Sequence, residues 1–87
     1  MKEIRRISCT KVRQACITYE WFTCGDVEEY AELFECIYDI SNNGRNVTSD
    51  ILEVIARNIK KYSDTDYNIA EIMFVLNAEC CTTFFEE

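Results

Sequence analysis

Histidine and proline are absent from this 87-residue chain, and glycine occurs only twice, at Gly25 and Gly44. Without histidine there is no usual general base, no Ser-His or Cys-His nucleophile pair, and none of the commonest metal ligand. The two glycines lie far apart and each sits at a turn-like position, so no glycine-rich phosphate loop is present. Scarcity of both glycine and proline argues against a turn-rich β protein and for a mostly helical chain. Long apolar runs are also missing, the longest being Ile72–Leu76, far short of a bilayer span. The charged N-terminus lacks the apolar stretch of a secretory signal, which leads to the expectation of a cytoplasmic protein. Six reduced thiols, not a disulfide framework, follow from that compartment. The Asn46-Val47-Thr48 sequon then has no bearing on glycosylation. A last absence is local: between Gln14 and Gly44 there is neither Lys nor Arg.

What fills that cation-free stretch is seven carboxylates. Glu28, Glu32, Glu35 and Asp39 are spaced 4, 3 and 4 apart, which places them in one row along a helix. The other side of the segment reads Val27, Tyr30, Ala31, Phe34, Ile37 and Tyr38, the expected core-facing stripe. Three successive like-charge pairs cost on the order of 1 kcal/mol. Glu28 and Glu29 recover part of it near the helix N-terminus, whereas Asp39 stands near the C-terminus, where the dipole opposes it. The row from Glu28 to Asp39 covers ~16 Å. Two readings stand side by side: a solvated helix face, or a surface that docks into an Arg- and Lys-lined groove of a partner.

Net charge is −7, unevenly distributed. Residues 1–13 hold Lys2, Arg5, Arg6, Lys11 and Arg13 against Glu3, while the rest of the chain has four basic and fifteen acidic side chains. Such acidity disfavours direct nucleic-acid binding and favours cationic surfaces. The basic N-terminus either touches phosphates or neutralises the chain's own acidic surface.

Hydrophobic periodicity marks four helices, and the expected fold is all-α: a small bundle of about four helices in a single domain over residues 1–87. The first runs from Ser8 or Thr10 to about Tyr19, with Val12, Ala15, Cys16 and Tyr19 at helical spacing. Upstream of it, Ile4 and Ile7 fit either a helix or a short strand. Trp21-Phe22-Thr23-Cys24-Gly25 reads as a turn with aromatic anchors, which either close a small core or serve as a binding hot spot. Asp26 opens the second helix in a capping box with Glu29, and Ser41-Asn42-Asn43-Gly44 ends it after Ile40. Thr48 caps the third, with Val47 and Leu52 as a hydrophobic staple and Ile51, Val54, Ile55 and Ile59 inward. Asn68 and Glu71 box the fourth, with Tyr67 stapling to Ile72. Its apolar residues Ile69, Met73, Leu76 and Cys80 line one side, and Phe74, Ala78, Cys81 and Phe85 another.

Chemistry-bearing constellations are sparse. The cysteines at 9, 16, 24, 36, 80 and 81 contain no Cys-x-x-Cys pair, and Cys16, Cys36 and Cys80 fall on apolar helical faces, where cysteine behaves as a small hydrophobe. Carboxylates on an exposed face lack the apolar pocket that raises one of them for acid catalysis. The expectation is therefore no enzyme, no metal and no cofactor. A helix-turn-helix reader built from helices two and three would carry its polar side chains, Arg57, Asn58, Lys60 and Lys61, at the wrong end of the recognition helix.

Val12-Arg13-Gln14-Ala15-Cys16-Ile17, then Trp21-Phe22-Thr23-Cys24-Gly25, then Tyr30 with Leu33-Phe34, resembles a V-R-x-A-C-I, W-F-T-C-G, Y-x-x-L-F pattern. The pattern is that of small proteins of Firmicutes phages and integrative elements. Val47 to Ile59 is loosely similar to the helix that follows in them. The resemblance implies a mobile-element setting, in which small acidic proteins of the anti-CRISPR type counter host defence by imitating DNA or blocking a nuclease channel. The expected function is then a non-catalytic inhibitor of a host defence nuclease. It would present Glu28, Glu29, Glu32, Glu35 and Asp39 to a basic groove of a nucleic-acid-binding protein such as a CRISPR-Cas nuclease, with no direct contact to nucleic acid or membrane. The alternatives are a DNA-binding regulator of a mobile element using the basic N-terminus, and a dimeric structural adaptor.

If the acidic row serves solubility alone, its member opposed by the helix dipole is dispensable. Asp39→Asn is expected to stabilise the chain by about 0.3–1 kcal/mol in equilibrium denaturation.

Overall fold

Ser8 is where the first strand becomes the first helix, and its two polar groups divide that work. Its N–H donates to the Cys80 carbonyl at 2.9 Å, ending a β ladder, while its Oγ accepts from the Lys11 N–H at 3.3 Å and caps the helix. The computed structural model describes residues 2–22, 30–42 and 46–86. In order these form β1 (Lys2–Ile7), α1 (Cys9–Thr18), α2 (Ala31–Asn42), α3 (Ser49–Tyr62), α4 (Ile69–Val75), a π-helical turn (Leu76–Cys80) and β2 (Cys81–Glu86). The expected Asp26–Glu29 capping box, Val27, the Thr23-Cys24-Gly25 turn and Asn43-Gly44 lie outside the described residues, as do Glu28 and Glu29.

The fold is α+β, which corrects the all-α expectation. β1 and β2 pair antiparallel in a two-stranded sheet, from Lys2 opposite Glu86 to Ile7 opposite Cys81. The fourth helix thus stops ten residues before the expected Phe85, with only the π-helical turn extending it to Cys80. The physical reason is twofold. Thr82, Thr83, Phe84 and Phe85 are β-branched or aromatic, residue types that favour a pleated surface. Their partner strand lies at the far end of the chain, where no local periodicity can reveal it. The open choice at Ile4 and Ile7 resolves to strand.

The starts of the third and fourth helices are those read from the sequence. Thr48 Oγ1 accepts from the Ile51 N–H at 3.4 Å, and the Asn68–Glu71 box closes with bonds of 2.8 and 3.0 Å. The end of α1 is less conventional. Trp21 N–H donates to the Cys16 carbonyl at 3.0 Å and Glu20 N–H to Ile17 at 3.2 Å, the paired bonds of a Schellman motif. Its left-handed position is held by Glu20, with φ of 54°. That turn drops Trp21 into the core beside Cys16, both almost fully buried.

Around them pack Val12, Ile37, Ile55, Ile59, Ile72, Leu76 and Cys80, all with essentially no exposed surface. The buried face of α3 is Leu52, Ile55, Ala56 and Ile59, rotated from the expected one, since Val54 is half exposed. Tyr19, Trp21 and Tyr67 form an aromatic triad with centroids 5.5–6.0 Å apart, in reach of favourable stacked and edge geometry.

Because a side chain with a Cβ disfavours the left-handed region, Glu20→Gly relieves strain that outweighs glycine's greater unfolded-state entropy. A stabilisation of about 0.5–1 kcal/mol in urea denaturation is expected.

Candidate functional site

Helix α2 is seated by aromatics. Phe22 stacks on Tyr30 at 4.0 Å, Phe34 meets Phe22 edge-on at 6.1 Å, and Tyr30 meets Tyr62 edge-on at 6.1 Å. Arg13 of α1 lies over the Phe34 ring at 4.9 Å, and the Cys9 thiol donates to the Phe34 carbonyl at 3.8 Å. Leu33 and Ile37 are buried, with Phe34 and Ile40 partly so. The inward stripe is therefore Tyr30, Leu33, Phe34, Ile37 and Ile40. Ala31 and Tyr38, expected inward, are exposed.

That rotation moves the buried face directly opposite the acidic row. At about 100° per residue, Glu32, Glu35 and Asp39 cluster on the side diametrically away from Leu33 and Ile37. All three are exposed. They occupy ~10 Å of helix length. Among the described residues the one ion pair is Arg57–Glu53 at 3.4 Å on α3, so no described cation lies within 4.0 Å of these three carboxylates. α2 also has no basic residue in its last turn to offset Asp39. Glu28 and Glu29 belong to the undescribed segment, so the structure places three of the five expected site residues together.

The N-terminal cations do not gather into one surface. Alternation along β1 sends Lys2 and Arg6 to one side of the ribbon and Arg5 to the other. Arg13 is committed to Phe34, and Lys11 borders a depression of about 190 Å³ with Gln14, Ala15, Thr18 and Glu79.

One recess went unread in the sequence. Tyr19, Tyr67, Asn68, Ala70, Glu71, Phe74 and Val75 line an open depression of about 510 Å³. The Tyr19 hydroxyl donates to Glu79 Oε2, a bond that raises the phenol pKa and keeps it protonated. Glu71 is occupied by the Asn68 N–H. The exposed Phe74 within the apolar pattern of α4 was the available signal, but it reads equally as core.

Two thiols sit deep. Burial pushes Cys16 and Cys80 up to about 12, with their neighbouring thiols, and Glu79 beside Cys80, adding to the effect. Cys9 and Cys81 are also raised by burial, Arg13 and Arg5 respectively opposing it. Cys36, expected on an apolar face, is exposed because the buried face of α2 turns away from it. Among the described residues no three His, Cys, Asp or Glu side chains converge as a metal site, and no helix is long and apolar enough to cross a membrane.

No family model, curated protein or solved structure matches this chain.

The buried thiols set a pH dependence. Above the ordinary thiol pKa the unfolded chain loses protons that folded Cys16 and Cys80 retain, so stability falls as pH rises from about 9 towards 12, by at most ~1.4 kcal/mol per pH unit per thiol. Alkylation of the native protein at pH 8 followed by peptide mass spectrometry is expected to label Cys36 rapidly and spare Cys16 and Cys80.

Proposed function

We propose that this chain is a non-enzymatic inhibitor that lays the acidic face of α2 into a basic groove of a host nucleic-acid-binding protein. The observation that carries the reading is the row of Glu32, Glu35 and Asp39, exposed together and opposite the buried side of a helix held by aromatic packing. A rigid helix presents its charges without the entropy loss of ordering a flexible acidic tail. In water the row costs stability; against Arg and Lys side chains it is attractive and steers encounter, raising association rates by roughly 10–10³-fold at low salt. Glu28 and Glu29, which precede the row in the sequence, belong to the proposed surface as the sequence reading has it and lie outside the described residues.

The mobile-element resemblance supports the setting: a host bacterial cytoplasm, with a CRISPR-Cas nuclease as the class of target. Inhibition is by occupation of the groove that nucleic acid requires. A regulator that binds DNA through the basic N-terminus is the rival, and the division of Lys2, Arg5, Arg6, Lys11 and Arg13 over separate surfaces counts against it.

The double variant Glu32→Lys, Glu35→Lys is expected to weaken inhibition of target-DNA cleavage by roughly 10–100-fold, mostly through slower association, with the helical circular dichroism retained. Raising ionic strength is expected to weaken the wild-type complex as well, since exposed charges are screened beyond ~8–10 Å. Undiminished inhibition by the double variant rejects the surface. A gel shift of element DNA by the pure protein would favour the regulator instead.

A further inference from the structure

The two edges of the β1–β2 ribbon are treated differently. On the β1 side, Arg5 N–H donates to Asn46 Oδ1 at 2.7 Å and the Arg5 carbonyl accepts from the Val47 N–H at 2.8 Å, so the segment before α3 closes that edge. Both polar groups of Arg5 therefore point away from β2. By antiparallel alternation, its cross-strand partner Thr83 points both of its own away from β1, and Phe85 does the same two residues on. The Ser8–Cys80 bond confirms the parity, because it makes the even-numbered residues of β1 the inward-bonding ones. Among the described residues nothing takes up the outward N–H and C=O groups of Thr83 and Phe85. β2 also lacks the devices that guard an edge: it has no proline, no lysine and one carboxylate, Glu86. Phe84 and Phe85 are 49 % and 65 % exposed on its two faces. A two-stranded ribbon is marginal in water, and an added strand is the usual remedy.

We infer that β2 pairs antiparallel with β2 of a second copy of this chain, joining two ribbons into one four-stranded sheet about a two-fold axis at Phe84. The charges select both the occupant and the register. With Phe84 opposite the second copy's Phe84, Thr83 faces Phe85 on either side of the axis, and four backbone hydrogen bonds form between the outward groups. One face then carries a continuous apolar row, Ile4–Phe84 followed by Phe84–Ile4 of the second copy. Glu86 lands beside the second copy's Thr82, a short side chain whose own cross-strand neighbour is Arg6. Carboxylate and guanidinium thus meet above the threonine, once on each side of the axis. On the other face Glu3 and Arg5 of opposite copies occupy the ends of the row through Phe85 and Thr83. No like charges are set directly opposite one another, which is the arrangement an antiparallel pair requires. The edge belongs to a different part of the chain from the acidic face of α2, so this inference stands or falls independently of the inhibitor reading.

Sedimentation velocity of the full chain under reducing conditions, from low to several hundred micromolar, tests it. Wild type is expected to pass from monomer to dimer. Thr83→Pro removes only an outward N–H, so it is expected to weaken dimerisation by roughly 10–100-fold through the two symmetric bonds lost, with circular dichroism unchanged. Phe84→Cys reports the register even if the proline variant misfolds. At a non-hydrogen-bonded antiparallel pair the Cα atoms approach to ~4.5 Å, so gentle oxidation is expected to give a 84–84 disulfide identified by mass spectrometry. Wild type that stays monomeric throughout the range overturns the inference. A dimer of unaltered affinity in folded Thr83→Pro, or a Phe84→Cys chain that forms no 84–84 bond, does so too.

Discussion

The ladder between residues 2–7 and 81–86 ties together the two ends of the described chain, and most of the other contacts depend on where it places them. Closing so long a loop carries an entropic cost that grows only logarithmically with length, but it must be met before the pairing returns anything. What meets it is the buried cluster just inside the ladder, where Ile7, Val12, Cys16, Leu76 and Cys80 pack together. The Ser8 N–H to Cys80 carbonyl bond joins ladder and cluster, since both residues also begin or end a helix-like element. Without that clasp α1 and the π-helical turn would have no reason to lie side by side.

Helix α2 is governed by a second constraint, the opposition of its two faces. Its inner face has aromatic and aliphatic partners on α1, on Phe22 and on α3, and its outer face has carboxylates with no described cation nearby. Packing holds the helix firmly enough for repulsion on the far side to be tolerated, at a cost well below that of removing one buried side chain. A charged row that persists on a packed helix is a surface of defined shape.

The local signals in the chain were legible in proportion to how local their physics is. Ser8, Thr48 and the Asn68–Glu71 pair are caps, decided by a side chain and a backbone group three residues away. Thr48 and the Asn68–Glu71 box are found where the sequence puts them, and of the two candidates Ser8 and Thr10 it is Ser8 that caps α1. The direction of a buried face proved harder. Val54, Tyr38 and Cys36 sit at positions where apolar periodicity admits two rotations of the helix, and the neighbouring elements choose between them. Of the acidic row, Glu32, Glu35 and Asp39 are described and exposed, which follows from the placement of Leu33 and Ile37 on the opposite side of α2.

Composition and spacing by themselves determined a small acidic chain with capped helices, no histidine-based chemistry and a one-signed charge stripe. Only the tertiary structure decided that Cys81–Glu86 is a strand. Cys81 and Phe85 continue the helical spacing of Phe74 and Ala78, and the strand preference of Thr82, Thr83 and Phe84 is too weak a local signal to override it. A β ladder, unlike a helix, takes its hydrogen-bond partners from elsewhere in the chain, so the choice rests with residues 2–7 and not with the segment itself.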